Sequence, residues 1–156
     1  MAKPHLYLDF IMLVPLHPAI VHFPIALITA ALILHGIQLW KPNWLGRVVG
    51  LWLMGLATIF SIAAVLTGQK EAAKAGEIGY PTETLILMER HETIGNIVVW
   101  GSIVFFIGWV YLFFKYKNDI RLDRLALAFL LLLFMIVTVS AYTGGQLVYI
   151  HGVGPP

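Results

Sequence analysis

Long apolar segments alternate with short polar ones along this chain of 156 residues. Four of the apolar runs each approach the roughly 20 residues that an α-helix needs to cross a bilayer. They cover residues 19–40, 48–66, 94–114 and 125–142. The pattern predicts an all-α membrane protein, a bundle of four transmembrane helices.

Composition supports the same class of protein. The chain is 60% hydrophobic and 12% charged, with a mean hydropathy of +0.86, whereas a soluble domain carries about 25% charged residues. We therefore predict one transmembrane domain over residues 1–156 and no separate soluble domain. The absence of cysteine excludes disulfides, iron–sulfur clusters and covalently attached haem on this chain. The net charge of +2 gives no indication of nucleic-acid binding.

The connections between the apolar runs differ in charge, which predicts an orientation. The short connections over 41–47 and 115–124 read as turns, and the longer one over 68–90 reads as a polar loop that contains Gly76, Gly79 and Pro81. The first and third connections hold six basic residues, against four on the opposite side, where five glutamates also lie. The positive-inside rule then places both termini outside, in a multi-pass protein of the bacterial inner membrane.

A short repeat predicts that the bundle consists of two helical hairpins. The second run ends Ala64-Val-Leu-Thr-Gly-Gln69, the fourth ends Ala141-Tyr-Thr-Gly-Gly-Gln146, and the first and third each begin beside a histidine. Two equivalent hairpins related by an axis along the membrane normal would place the first and third helices opposite each other. The alternative is that Thr-Gly ends two membrane helices by coincidence.

Histidines at one end of the predicted helices are the candidate chemistry. His17, His22, His91 and His151 all fall near the same predicted membrane face. Ionisable groups near lipid are costly unless paired or ligated, and imidazole is a common ligand of haem iron and of other metals. The set predicts a bound cofactor, with haem b as the first candidate, in one copy or two.

His22 is the preferred ligand on the first helix. Pro18 suits the first helical turn, and Ala19, Ala26 and Ala30 form a strip of small side chains against which a porphyrin would lie. The alternative is a histidine hydrogen-bonded between helices, with alanines chosen for close packing. His91, with Gly95 one turn deeper, is the predicted second axial ligand, although it also suits an ordinary interfacial histidine.

The remaining histidines are weaker candidates for cofactor ligands. His17 lies about 140° around the helix from His22, so it either caps the helix or serves a second site with His151. Residues 144–154 are too rich in glycine to predict a helix, and we expect them to fold back over the bundle mouth. Arg90 is a candidate partner for a haem propionate, and the alternative is an arginine that faces solvent or lipid. His35 has no predicted partner at its depth and His5 lies in a tail, so neither is a predicted ligand.

The chain resembles the DUF2231 family of small predicted bacterial membrane proteins. The likeness rests on Leu16-His-Pro18, on Val21-His-Phe-Pro-Ile-Ala26, on His91 at the start of the third helix, and on the tail from Gly144 to Gly154. The resemblance implies four helices and this set of histidines. The resemblance also implies an association with cytochrome-type redox proteins, which favours haem.

These observations predict an electron-transfer subunit similar to a b-type cytochrome. It would link quinol to a periplasmic acceptor, with other subunits of a redox complex or a periplasmic cytochrome as partners. The chain carries no Walker loop, no Ser-His-Asp pattern and no His-Glu-x-x-His, so catalysis by this chain alone is not indicated. A haem-free structural or anchoring subunit and a metal-binding membrane protein remain as alternatives.

Overall fold

The computed structural model describes residues 16–41, 46–116 and 119–154, and these residues form only helices and turns. Five helical segments follow one another along the chain. They are α1 (Leu16–Ile20), α2 (His22–Trp40), α3 (Gly46–Ile78), α4 (Thr82–Lys115) and α5 (Ile120–Tyr149).

Four helical spans are long and apolar enough to cross a membrane, as predicted. They are Leu16–Trp40, Arg47–Ile78, Thr82–Lys115 and Ile120–Tyr149, with mean hydropathies of 2.1, 2.2, 2.3 and 2.5 over their most apolar windows. Each apolar run identified from the sequence lies inside one of them. The four-helix fold is therefore confirmed, while the outward orientation of the termini stays a prediction.

The first span contains a local break at Val21, between α1 and α2. Pro24 has no N–H to donate to the carbonyl of Ile20, so one hydrogen bond of the helical ladder is lost there. Val21 itself keeps helical dihedrals, φ −61° and ψ −23°, and its N–H still bonds the carbonyl of His17 at 3.1 Å. The span therefore continues through the break, which brings α1 into the bundle with His17 on it.

The prediction of a polar loop over 68–90 is wrong, because α3 and α4 continue through most of this segment. Residues 69–78 are mainly strong helix formers, which keep the helix intact outside the apolar region. The turn between α3 and α4 is confined to Gly79, Tyr80 and Pro81, with Gly79 at φ 79°. Glycine adopts that left-handed conformation without strain, and proline suits the entry to the next helix.

The prediction that residues 144–154 are not helical is wrong for the first half of that segment. Helix α5 runs through Gly144 and Gly145 to Tyr149, because in apolar surroundings the helix keeps backbone N–H and C=O groups bonded. Residues 150–154 do turn back, with Gly152 at φ 64°, and the N–H of Val153 bonds the carbonyl of Leu147 at 2.8 Å.

The helices pack in a ring, with α2 against α3, α3 against α4, α4 against α5, and α5 against α2. The first and third spans are therefore diagonal neighbours, as the two-hairpin arrangement predicts. Ile28, Met54 and Leu130, from three different spans, are completely buried at the centre. Close approach of the helices rests on small residues: a Cβ on Gly55 would lie 3.0 Å from the ring of Phe106.

Candidate functional site: two facing histidines

Two histidines from diagonally opposite spans meet at one end of the bundle, which we call the histidine end. The ring centroids of His17 and His91 lie 6.1 Å apart, with the ring planes at 81°. Both side chains are partly buried. The first and third spans therefore contribute one imidazole each to a single site.

The hydrogen bonds of His17 determine which ring nitrogen carries its proton. Its Nδ1 lies 2.8 Å from the carbonyl oxygen of Ala64 and 3.4 Å from Oγ1 of Thr67. The Thr67 hydroxyl itself donates within its own helix, to the carbonyls of Ala63 and Ala64 at 2.9 Å. A carbonyl only accepts, so Nδ1 of His17 is the protonated nitrogen and Nε2 keeps its lone pair.

His91 has the same tautomer, held by the equivalent residues of the other hairpin. Its Nδ1 lies 2.9 Å from Oγ1 of Thr143. That hydroxyl donates to the carbonyl of Ser140 at 2.9 Å, so it accepts the proton of Nδ1–H. Nε2 of His91 therefore also keeps its lone pair. Neither Nε2 makes a hydrogen bond within the part of the chain that the structure describes.

A glycine lies beneath each imidazole. A Cβ on Gly68 would lie 2.9 Å from Cε1 of His17, and a Cβ on Gly144 would lie 3.0 Å from Cε1 of His91. Any other residue at these positions would displace the ring. The Thr-Gly repeat of the sequence thus has a structural basis, since each Thr-Gly pair supports one of the two histidines.

The structure does not bring His22 and His91 together as the predicted axial pair. His22 is exposed, and its Nδ1 lies 2.6 Å from the carbonyl oxygen of Pro18. The angular separation along the helix explains the difference, because only one of His17 and His22 can face the bundle centre. The alanine strip does not mark the interior either, since Ala19 and Ala26 are exposed.

His151 and Arg90, the two other candidates, lie at the histidine end but outside the pair. Nδ1 of His151 lies 3.0 Å from Oγ1 of Thr84 in the first turn of α4, so His151 joins the tail to α4. The Tyr80 hydroxyl donates to the carbonyl of Gly152 at 3.4 Å and strengthens the same connection. Arg90 is exposed, immediately before His91 on α4.

The expectation that His35 has no partner at its depth is wrong. His35 is completely buried, and its Nε2 donates to the carbonyl of Asp123 at 2.9 Å. Its ring stacks edge to face on Trp109, with centroids 5.1 Å apart. The carboxylate of Asp123 pairs with Arg47. This second polar cluster lies at the opposite end of the bundle, which we call the arginine end.

Residues 16–41, 46–116 and 119–154 contain no group of three or more His, Cys, Asp or Glu side chains arranged to hold a metal ion. The site at the histidine end offers two imidazole nitrogens. Two is the number of axial ligands that a six-coordinate haem takes from a protein, whereas a closed zinc site uses four protein ligands.

Comparison with known proteins places this architecture in a family. A family model described as a predicted membrane protein, DUF2231, matches residues 13–155. No curated protein and no solved structure gives a significant match.

Proposed function

The chain belongs to the DUF2231 family of predicted membrane proteins, and from its paired histidines we propose that it is an electron-transfer subunit similar to a b-type cytochrome. His17 and His91 would hold one haem b through their Nε2 atoms at the histidine end. The observation that carries the proposal is the matching pair of imidazoles, each bonded through Nδ1 and each with Nε2 available.

The separation of the two rings fits this role. Imidazoles that share one metal ion each bind it at about 2 Å through nitrogen, which puts their ring centres about 6 Å apart. The centroids of His17 and His91 are 6.1 Å apart. The pair comes from diagonal helices, so its two ligands approach from opposite sides of the bundle axis.

The groups around the histidines also suit ligation. Histidines that bind metals usually donate their second N–H to a carbonyl or a similar acceptor, which fixes the ring and raises its basicity. Ala64 supplies that acceptor for His17, and Thr143 supplies it for His91. The chemistry that a haem would supply here is the transfer of single electrons, and the apolar bundle would adjust its potential by excluding water.

The position of the pair suits exchange of electrons with another protein. Beyond Thr67, α3 continues to Ile78 and returns as α4, so a helical hairpin projects about 16 Å past the histidine level. Exposed charged residues cover this hairpin. We propose that a soluble cytochrome or another subunit of a redox complex docks there, and that the protein resides in the bacterial inner membrane.

A reduced-minus-oxidised absorption spectrum of the purified protein, with a pyridine haemochrome assay, tests the proposal. The wild type should show a low-spin spectrum of b-type haem. His17→Ala and His91→Ala should each change that spectrum or lose the haem, while His22→Ala and His151→Ala should keep it. An unchanged low-spin spectrum in both His17→Ala and His91→Ala would refute this ligand pair.

A haem-free structural subunit is the second candidate, and the same hydrogen bonds favour it. Bonds such as His17 to Ala64 connect neighbouring helices and stabilise a membrane bundle without any cofactor. Under this function the purified protein has no Soret band even when haem is supplied during expression. His17→Ala would then lower thermal stability without any spectroscopic change.

A further inference from the structure

A groove follows α4 along most of the bundle. Its deeper part is a cavity of about 460 Å³ between α4 and α5, with mainly aromatic and aliphatic walls. A shallower depression towards the histidine end is lined by Thr93, Asn96, Ile97, Trp100, Gly101 and Val104. Three residues line both parts, Ile97, Gly101 and Val104. We call the continuous feature the α4 groove.

Asn96 is the unusual residue in this groove. It lies in a transmembrane span and is partly buried, and its carboxamide makes no hydrogen bond to any of the described residues. An amide has two N–H donors and one acceptor oxygen, and leaving them unpaired near hydrocarbon is costly. Asn96 is five residues from His91, about 7.5 Å along the helix axis. A polar partner from the lipid phase would pair the amide at this depth.

The charges along the groove select the kind of partner. The depression around Asn96 has no charged lining residue, so a phosphate or carboxylate head group would find no counter-ion there. At the arginine end the charged groups already have protein partners. Arg47 pairs with Asp123, and Asp119 accepts from the N–H of Arg121. The groove therefore suits a molecule with an uncharged head that carries oxygen acceptors, and with a long apolar tail.

We propose that the α4 groove binds an isoprenoid quinone. The quinone ring lies against Trp100, a residue that is 66% exposed, and a ring carbonyl accepts a hydrogen bond from the amide of Asn96. The isoprenoid tail follows the cavity past Phe105 and Phe129, whose rings stack with centroids 5.4 Å apart. The significance of this ligand for electron transfer rests on the haem proposal, but its binding does not.

Gly108 allows a test of the tail site at a position with room for a Cβ. It lines the cavity, and a Cβ placed there meets nothing within 4 Å. Gly108→Leu therefore fills the groove with a better helix former. Gly36→Leu is the matched control, because a Cβ on Gly36 also meets nothing within 4 Å and Gly36 lines neither part of the groove.

The experiment measures binding of radiolabelled decylubiquinone to the protein in phospholipid nanodiscs, with empty nanodiscs as background. We expect saturable binding to the wild type and to Gly36→Leu. Asn96→Leu and Gly108→Leu should each weaken it at least tenfold. Binding that does not saturate, or that is equal in all four proteins, would mean that ordinary phospholipid covers the groove, and would overturn the inference.

The two proposals fail in different ways. Saturable quinone binding by a protein without any haem spectrum would keep the quinone site and remove the cytochrome function. A haem spectrum in a protein that binds no decylubiquinone would keep the cytochrome function and remove the quinone site.

Discussion

The imidazole of His91 packs directly on the backbone of Gly144, so closely that a Cβ there would lie 3.0 Å from Cε1 of the ring. The neighbouring Gly145 differs, since a Cβ at that position meets nothing within 4 Å. Both glycines lie inside α5. Two adjacent residues of one type therefore have opposite steric surroundings, which provides a matched pair for mutation.

Gly144→Ala should destabilise the protein, although alanine favours a helix by about 1 kcal/mol over glycine. The new methyl group must displace the ring of His91, and such overpacking costs about 1–3 kcal/mol. Gly145→Ala gains the helix propensity without the clash, so it should unfold at the same temperature as the wild type or higher. Thermal unfolding in detergent measures both. Equal unfolding temperatures for the two variants would contradict the contact between Gly144 and His91.

Thr143→Val tests the hydrogen bond that orients His91. The variant keeps the shape of the side chain but removes the oxygen that accepts from Nδ1, which should cost about 1 kcal/mol of stability. If His91 binds haem, the loss of this supporting bond should also weaken haem affinity about 10–100-fold.

Thr138→Val serves as the control for that experiment. Thr138 lies on the same helix, is exposed, and bonds only the carbonyl of Phe134 in its own helix, at 2.7 Å. Thr138→Val should therefore leave both the unfolding temperature and the haem titration unchanged. Equal haem affinity in Thr143→Val and the wild type would argue against ligation through His91.

Asp123 should contribute more to stability than the neighbouring Asp119. Asp123 is 5% exposed and pairs with Arg47, and removing one partner of a buried ion pair costs about 3–5 kcal/mol. Asp119 caps α5 by accepting from the N–H of Arg121 at 2.9 Å, which is worth about 1 kcal/mol. Asp123→Ala should therefore lower the unfolding temperature clearly more than Asp119→Ala does. Equal effects would show that the pair adds little.

The fold was predictable from the sequence because length and hydropathy determine which segments cross a bilayer. The same criterion did not predict how far α3 and α4 extend beyond the apolar runs. That extension depends on helix propensity in residues 69–78, which hydropathy does not measure. It also depends on Gly79, whose left-handed conformation ends α3.

Which histidine of the first span is directed toward His91 was also visible in the sequence, but in another pattern. The buried residues of α2 are Pro24, Ile28, Ala31, His35 and Gln38, a spacing of three and four that marks one face. Polar residues such as His35 and Gln38 in a membrane helix normally face the bundle interior. Extended one heptad back from Pro24, the same face includes His17. The alanine strip beside His22 marked a surface that the structure leaves largely exposed.

The contacts at the arginine end could not be predicted from local sequence. His35, Arg47 and Asp123 come from three different helices, and the hydropathy pattern assigned the last two to connecting turns. Their proximity depends on where α3 and α5 begin, at Gly46 and Ile120. Helix boundaries of this kind are the least certain feature of a sequence pattern.

Both termini should lie on the periplasmic side of the membrane, with the arginine end facing the cytoplasm. The even number of spans places the two termini on the same side, and the connections at the arginine end carry the larger share of lysine and arginine. Alkaline phosphatase, which is active only outside the cytoplasm, should be active when fused after residue 156. Green fluorescent protein inserted between residues 117 and 118 should fluoresce, because it folds in the cytoplasm. Inactive phosphatase at the C-terminus, in a fusion that inserts normally, would reverse the orientation and place the paired histidines at the cytoplasmic face.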